Sequence, residues 1–457
     1  PGGARGAARE PAAGTGHPIG RIHPERRVVD SLITDAPAFE KHRAMGFGAA
    51  LTLPREGIFR GQAALINLGS GSPAANVIAA RAAQVVAFES GSFGQGYPAS
   101  LMGSIAAVRQ TFLDARQHAV WRERYDADPA GMRRPEASAS LAALAGEASG
   151  KSRVLFDAAD PGNALRALDL ARELELGAVL LGSGTDSLQA GLMERLVESR
   201  TPIILPLAYP DKPKVADADE ALAVSLRDLE RWDAAPANPA RFQDAGLAFA
   251  LGTCRSSSPA EFPARLRKAL DRGLRPETAL AALTVEPARI LGLERSLGTI
   301  EPGTIANVVV WEGSASGKHG LFDEAVRPRH VFVDGVRHDV EARASKGDPD
   351  AKVDPRGTWA ITFTIGEREM ARTWTIAGSE GDYSGTAETQ RGTVAFSSVT
   401  LKGNAMTVVL PGEGSRPSQE VTVVISGDSL EGSGEFPGGT SFTVKGTRTS
   451  GPEGSVS

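Results

Sequence analysis

Several residue types and patterns are missing from this sequence, and each absence excludes a class of protein. Only one cysteine occurs in 457 residues, so neither an internal disulfide nor a cysteine-based zinc knot can form. No stretch approaches the run of roughly 18 apolar residues that spans a bilayer. A net charge of -5 provides no basic surface for a nucleic-acid partner. No Gly-x-Ser-x-Gly motif occurs, which excludes the nucleophile elbow of a serine hydrolase.

The composition that remains is that of an ordinary globular chain. Apolar residues make up 41% and charged residues 23%, and the length suits two or three domains. Residues 1–16 are Gly, Ala, Pro and Arg without periodicity, which predicts a flexible leader. Because the chain begins at Pro1 without a signal-peptide pattern, we expect a processed, exported protein (periplasmic or extracellular), with a cytoplasmic one as the alternative.

From residue 153 to 206, short apolar runs alternate with helices, which is typical of parallel β/α units in a TIM-type barrel or a doubly wound sheet. Ser258-Pro-Ala-Glu261 has the form of a capping box that starts a helix. The predicted strands lie at 47–53, 63–68, 85–89, 153–157, 178–181, 202–206 and 247–252. The predicted helices lie at about 100–125, 138–147, 164–174 and 188–198.

The C-terminal part of the sequence has a different pattern of apolar residues. Residues 341–354 indicate a charged linker, and residues 355–450 contain about eight runs of period two, separated by Gly, Ser and Asp. This pattern predicts a small antiparallel barrel or sandwich, and Gly357-Thr-Trp359 with Gly446-Thr-Arg448 looks lipocalin-like. The aromatic side chains on these strands are expected to form the core, with a site for an apolar ligand or a neighbouring protein as the alternative.

One run of four sequence segments is specific enough to suggest a family. The segments, in chain order, are Ala279-Leu-Ala-Ala-Leu-Thr-Val-Glu-Pro-Ala-Arg-Ile-Leu-Gly292, Leu297-Gly-Thr-Ile-Glu-Pro-Gly303, Ala306-Asn-Val-Val-Val-Trp311 and Val331-Phe-Val-Asp-Gly335. This run resembles the C-terminal end of the amidohydrolase superfamily, the metal-dependent C–N hydrolases such as dihydroorotase and imidazolonepropionase.

The resemblance covers roughly residues 17–340 and implies a TIM-like (β/α) barrel over 17–296. Upstream, Met45–Pro54 and Phe59–Asn67 look like the second barrel strand and its glycine turn. Residues 297–340 would form part of a flanking β-sandwich. A first strand is not evident, so another polypeptide that completes the barrel, or a larger complex, is the expected partner.

The resemblance also implies a metal centre, and here the sequence departs from the family. Members hold divalent metals with His-x-His after the first strand, Lys or Glu after the fourth, His after the fifth and sixth, and Asp after the eighth. At the corresponding strand ends stand Asp157, Gly182-Ser183, Pro206-Leu207 and Cys254. The seven histidines fall outside these ends: His17, His23, His42, His118, His319, His330 and His338.

We therefore expect a catalytically degenerate protein without a cofactor, used as a structural or binding subunit. The alternative is an active hydrolase of amide or cyclic C–N bonds, whose zinc or other divalent metal is held partly by a partner chain or an N-terminal segment. The candidate barrel-mouth residues, with no catalytic role assigned, are Glu89, Asp157, Ser183 and Cys254.

Other interpretations of these residues remain open. His17 and His23 are six residues apart, a spacing that fixes no common face for metal ligation. Asp157 and Asp186 are a possible acid/base pair. The glycine loops at 69–72 and 91–96 are either phosphate cradles or tight turns. Cys254 is either a ligand for a soft metal or an inert small residue.

Overall fold

The computed structural model describes residues 15–89, 97–213, 218–256, 258–340, 351–365, 368–379, 381–389, 392–411, 418–435 and 441–451. Most of the expected leader, the glycine loop at 91–96 and most of the expected linker lie outside these residues. The chain divides into two compact units, Pro1–Val340 and Glu341–Ser457.

A seven-stranded sheet forms the centre of the first unit. Its strands are β1 (Ala49–Thr52), β2 (Phe59–Asn67), β3 (Val77–Ala87), β4 (Arg153–Asp157), β5 (Gly177–Leu181), β6 (Ile203–Pro206) and β7 (Phe249–Gly252). They lie side by side in chain order. The pairs from β3 to β7 are parallel, as expected for β/α units. The sheet curls into a half-barrel.

The prediction that residues 47–53 form a parallel barrel strand is wrong. This segment is β1, which pairs antiparallel with β2, so that Leu51 lies opposite Leu65. Only residues 53–58 connect the two strands. A parallel crossover needs a dozen or more residues, about twice what this connection offers, so a hairpin is the only pairing that the chain permits here.

Helices pack against the sheet, most of them on one face. They are α1 (Ala36–Arg43), α2 (Leu101–Ala127), α3 (Ala139–Ala143), α4 (Ala145–Ala148), α5 (Pro161–Glu173), α6 (Leu192–Ser199), α7 (Ala218–Ala223), α8 (Leu226–Ala234), α9 (Asn238–Asp244), α10 (Phe262–Asp271), α11 (Pro276–Leu283) and α12 (Val285–Leu291). Because side chains alternate along a strand, Val154 and Phe156 enter the large core beneath the helices. Leu155 enters a smaller core on the other face, where α12 contributes Ile290.

The helix that follows β7 starts differently from the prediction. Residues Pro259–Glu261 form a 3-10 turn, and the Ser258 side chain makes no capping hydrogen bond. Glu261 binds Arg265 instead, at 3.1 and 2.9 Å. The predicted capping box is therefore absent, because an ion pair within the first turn uses its carboxylate.

A three-stranded antiparallel sheet completes the first unit. It consists of β8 (Val308–Glu312), β9 (Arg327–Val333) and β10 (Val336–Asp339), in the order β10-β9-β8. The Asn307 amide donates to the Asn67 side-chain oxygen at 2.8 Å, which links this sheet to the end of β2.

The second unit is a closed antiparallel barrel. Its strands are β11 (Gly357–Ile365), β12 (Arg368–Ser379), β13 (Asp382–Thr389), β14 (Gly392–Ala395), β15 (Ser398–Lys402), β16 (Ala405–Leu410), β17 (Gln419–Ser426), β18 (Ser429–Glu435) and β19 (Ser441–Ser450). Pairing of β12 with β13 closes eight of them into a ring, and β14 extends from β13. The predicted small antiparallel β-domain is thus a barrel and not a sandwich.

Aromatic side chains fill the interior of this barrel, as expected for a ring of eight strands. Trp359 and Trp374 have no exposed surface, and Phe363 packs against both Trp374 and Phe442. Closure of the sheet leaves no free edge on the ring. The expectation that these aromatics form the core agrees with their burial.

Arg448, in the last strand of the barrel, contacts the segment that leads into the first strand. Its guanidinium lies over the Trp359 ring, 4.4 Å from the centroid, and donates to the carbonyl oxygens of Arg356 and Asp354 at 2.5 and 2.6 Å. The Trp359 indole donates to the Pro355 carbonyl at 2.9 Å. The last strand therefore fixes the segment that leads into the first.

We expect Arg448→Lys to destabilise the second unit by about 1–2 kcal/mol, because a lysine ammonium cannot keep the stacking and both carbonyl hydrogen bonds. Chemical denaturation followed by tryptophan fluorescence measures the change. Arg368→Lys, at the exposed start of β12, is the matched control and should shift the midpoint little. Equal effects of the two variants would contradict the assignment.

Candidate functional site

The carboxyl ends of the parallel strands meet at one edge of the half-barrel, where β/α barrels carry their functional residues. Asp157 is the last residue of β4, and Glu89 comes two residues after β3. Ser183 and Cys254 come two residues after β5 and β7. All four candidate residues therefore lie at the same edge, which we call the mouth.

An ion-pair cluster occupies the centre of the mouth. The Asp157 carboxylate binds Arg60 Nη1 through Oδ2 at 2.5 Å and Arg255 Nη2 through Oδ1. The three side chains are only 12–22% exposed. We call Arg60, Asp157 and Arg255 the mouth triad. It joins β2, β4 and the loop after β7 through one carboxylate.

Arg255 is held more firmly than an ordinary surface arginine. Its Nε donates to the Gly182 carbonyl at 2.7 Å and its Nη2 to the Leu181 carbonyl at 3.3 Å. Its backbone has φ of 61°, an unusual value for a residue with a side chain. The surrounding contacts maintain this conformation and aim the guanidinium at the ends of β4 and β5.

Glu89 is engaged in several contacts of its own. It accepts a hydrogen bond from the Gly57 amide at 2.9 Å and lies 3.7 Å from Arg21 and 3.9 Å from Arg60. Gly57 has φ of +102°, and a Cβ there would come within 2.8 Å of the Arg21 carbonyl oxygen. Glu89 is therefore connected to the mouth triad through Arg60 and helps to order the turn at Gly57.

The loop after β5 is organised around Asp186, which has no exposed surface. Its carboxylate accepts from the amides of Ser183 and Gly184 at 2.9 Å each and from the Ser183 hydroxyl at 3.1 Å. Burial raises the pKa of Asp186, against the effect of these hydrogen bonds. Asp157 and Asp186 thus bind separate sets of donors, and these contacts give no support to the acid/base pair considered from the sequence.

The single thiol of the chain is poorly suited to react. Burial raises the pKa of Cys254 to about 11, although the neighbouring Arg255 acts in the opposite direction. The thiol is therefore protonated near neutral pH and is a weak nucleophile. Cys254 packs beside the smaller core of the half-barrel.

The histidines at the start of the chain contact their own neighbours. His17 Nδ1 accepts from the Ile19 amide at 3.1 Å, whereas His23 Nε2 lies 2.8 Å from the Gly20 carbonyl and Nδ1 lies 3.6 Å from Glu25. The glycine turn at 69–72 is closed by the Asn76 amide, which donates to Gly69 and Gly71 carbonyl oxygens at 3.2 and 3.3 Å. These contacts favour structural roles for both segments.

The residues at the mouth do not fit the divalent metal that the resemblance implies. Among the described residues, no group of three or more His, Cys, Asp or Glu side chains is arranged to hold a metal ion. The one carboxylate in the centre is bound by two permanent cations. We therefore derive no chemical step through a metal held by this chain.

A cavity of about 670 Å³ opens beside the mouth. The Tyr209 hydroxyl, which donates to the Arg265 carbonyl at 2.9 Å, lies in its wall. Arg265 Nη1 in turn donates to the Leu207 carbonyl at 3.0 Å. Burial raises the pKa of Tyr209, so the phenol is a hydrogen-bonding group and not an anion. The polar residues of the lining are Ser183, Thr185, Tyr209, Asp211, Asp228, Arg231, Arg255 and Arg265.

The sequence reasoning missed the arginines of the site. It searched for metal ligands and nucleophiles, while the mouth is dominated by guanidinium groups. One signal was available, because Arg60 is the one charged residue in β2. Arg255 directly follows Cys254, but nothing in the sequence indicates that it turns back towards β4.

Fold and mouth together define a class of protein: a curled β/α half-barrel with polar residues at the carboxyl ends of its parallel strands. Residues 235–338, from the turn before α9 to β10, match the model of the amidohydrolase family. The resemblance to the amidohydrolase superfamily is thereby confirmed.

A solved structure supports the shared fold. An amidohydrolase from Thermotoga maritima MSB8 superposes with a TM-score of 0.57 at 22% identity, covering 71% of this chain and 80% of that one. A second amidohydrolase (TM-score 0.32, 21% identity, 44% and 48% covered) is too distant to support an argument. The same holds for a Xaa-Pro dipeptidase with methionine in its active site (TM-score 0.32, 16% identity, 44% and 47% covered).

No curated protein matches the chain. Within the described residues, none of the helices combines the length and the apolar character needed to cross a bilayer.

We expect Asp157→Asn to destabilise the first unit by about 1–3 kcal/mol, because two poorly exposed guanidinium groups lose their counter-charge. Denaturant unfolding at pH 7 measures the loss. The control Asp126→Asn removes a surface ion pair with Arg122, in which the Arg122 side chain is 49% and the Asp126 side chain 60% exposed. This change should cost less than about 0.5 kcal/mol. Similar losses in the two variants would show that the mouth triad has no special role.

Cys254 should alkylate slowly at neutral pH and faster as the pH rises towards about 11. The sign follows from the raised pKa: the thiolate, which is the reactive form, is scarce below that value. Iodoacetamide labelling followed by intact mass gives an unambiguous readout, because the chain has one cysteine. A rate that levels off near pH 8–9, as for a free thiol, would contradict the expected burial.

Proposed function

We propose that this chain is a catalytically degenerate amidohydrolase-like protein that acts as a structural or binding subunit and does not hydrolyse amides by itself. The mouth triad is the observation that supports this proposal. Its carboxylate lies at the end of β4, where a metal ligand would be useful, and is bound by Arg60 and Arg255.

The argument is electrostatic. A metal ion that ionises water is held by imidazole, carboxylate or thiolate groups, which offer lone pairs. A guanidinium stays protonated at all accessible pH values and has no lone pair to donate. Two such groups around Asp157 use its charge and repel a divalent cation, so a metal would have to displace both.

The mouth also provides little for metal-independent chemistry. The Ser183 hydroxyl donates to Asp186, which at the same time accepts from two backbone amides. That geometry organises the loop and does not correspond to a serine activated by histidine. The Cys254 thiol stays protonated near neutral pH. Binding without turnover is the function that these contacts support best.

One observation favours the alternative, a metal-dependent hydrolase of amide or cyclic C–N bonds whose ligands are completed by a partner. In the sheet order, β1 and β7 are the two ends and do not pair with each other. A polypeptide that fills this gap would complete the barrel, and under the alternative it would also bring the imidazoles that the mouth lacks. A barrel-completing partner is thus compatible with either function.

The decisive experiment measures metal content and hydrolysis on the same preparation. The purified chain is incubated with Zn²⁺, Mn²⁺ or Fe²⁺, freed of excess metal and assayed against amide and cyclic-amide substrates with and without a chelator. We expect much less than one metal ion per chain and no chelator-sensitive hydrolysis. Asp126→Asn and Asp157→Asn should behave alike in this assay.

The contrary result is equally clear. One metal ion per chain, together with hydrolysis that the chelator abolishes, would rule out the proposal. Loss of that metal in Asp157→Asn but not in Asp126→Asn would place the ion at the mouth.

A further inference from the structure

The cavity beside the mouth has the position and size of a ligand site. Ser183 and Thr185 come from the loop after β5, Tyr209 follows β6, and Arg255 follows β7. Its volume of about 670 Å³ lies within the range of roughly 300–1,000 Å³ typical of small-molecule pockets. The scaffold therefore holds a chamber that is open to solvent on one side and that a molecule of moderate size can enter.

Three arginines from three separate elements line this chamber. Arg255 and Arg265 are already fixed, the first by Asp157 and two carbonyl oxygens, the second by Glu261 and Leu207. Arg231, on α8, makes no ion pair or side-chain hydrogen bond to any residue that the structure describes. A guanidinium without a partner at the wall of a chamber is a ready receptor for an anionic group.

Two carboxylates in the same lining limit the charge that the chamber accepts. Asp211 and Asp228 face it together with the three arginines. Asp228 is engaged at the start of α8, where it accepts from the Ser225 hydroxyl at 2.6 Å. Arg255 and Arg265 already have Asp157 and Glu261 as counter-ions, so a ligand anion would be received by Arg231. The nearby Asp211 and Asp228 carboxylates repel a highly charged ligand such as a polyphosphate more strongly than a monocarboxylate.

We propose that this cavity binds a small organic molecule that carries one carboxylate, and that Arg231 receives this carboxylate. The Ser183 and Thr185 hydroxyls supply hydrogen-bonding groups, and Pro210, Pro213 and Val224 supply apolar contacts for the remainder of the ligand. This inference rests on the proposed function, because it names what a binding subunit of this kind takes up.

The test uses the full chain and two matched probes. Hippurate carries a carboxylate and an amide, and hippuramide has the same shape without the charge. Calorimetric titration at pH 7 should show saturable hippurate binding and at least about tenfold weaker hippuramide binding, as a charge-assisted hydrogen bond predicts. Equal affinities for the two probes, or no saturable binding of hippurate, would overturn the inference.

Variants locate the carboxylate. Arg231→Gln should weaken hippurate binding about tenfold and abolish the preference over hippuramide. Asp211→Asn should tighten hippurate binding, a change of sign that unfolding cannot produce. Arg227→Gln, on the same helix but outside the cavity lining, is the control and should bind as the unaltered chain does. Equal losses in Arg231→Gln and Arg227→Gln would contradict the assignment.

The same samples separate this inference from the proposed function. Proton NMR of the hippurate mixture detects benzoate released by hydrolysis. Chelator-sensitive release would contradict the proposed function even if binding follows the expected pattern. Absence of both binding and release would contradict only the carboxylate site and leave the degenerate mouth in place.

Discussion

The charge balance around Asp157 is the constraint on which the mouth of the half-barrel depends. One carboxylate compensates guanidinium groups from β2 and from the loop after β7, so three parts of the chain are held at a single point. Both carboxylate oxygens bind guanidinium groups, so a metal ion would have to compete with two cations for them. Arg255, which this ion pair helps to hold, also forms part of the wall of the neighbouring cavity.

Scaffold and site have different physical origins in this protein. The parallel strands are buried on both faces by apolar side chains, and this burial is indifferent to which residues stand at the strand ends. The match over residues 235–338 and the TM-score of 0.57 concern the scaffold, while function has to be argued from the mouth and its cavity.

The second unit is stabilised in a different way from the first. Its ring of strands has no free edge, and two tryptophans without exposed surface occupy the interior. The Arg448 guanidinium, on the last strand of the barrel, lies over the Trp359 side chain on the first strand. The guanidinium carbon is 4.4 Å from the centroid of the aromatic ring. A filled interior favours a packing role for these aromatics over an apolar ligand site, so the ligand question centres on the first unit.

Local sequence determined the elements and much of their burial. The period-two runs predicted a small antiparallel barrel or sandwich, and the alternation of strand and helix predicted parallel β/α units. Such features depend on neighbours a few residues apart. The direction of β1 and the use of Glu261 in an ion pair were decided by competing contacts that the hydrophobic pattern does not contain.

The mouth triad was the feature that the sequence could predict least, because Arg60 and Asp157 are 97 residues apart and Asp157 and Arg255 are 98 apart. Only the folded chain brings those charges together, and their mutual compensation, not the identity of any one residue, sets the chemistry of the site.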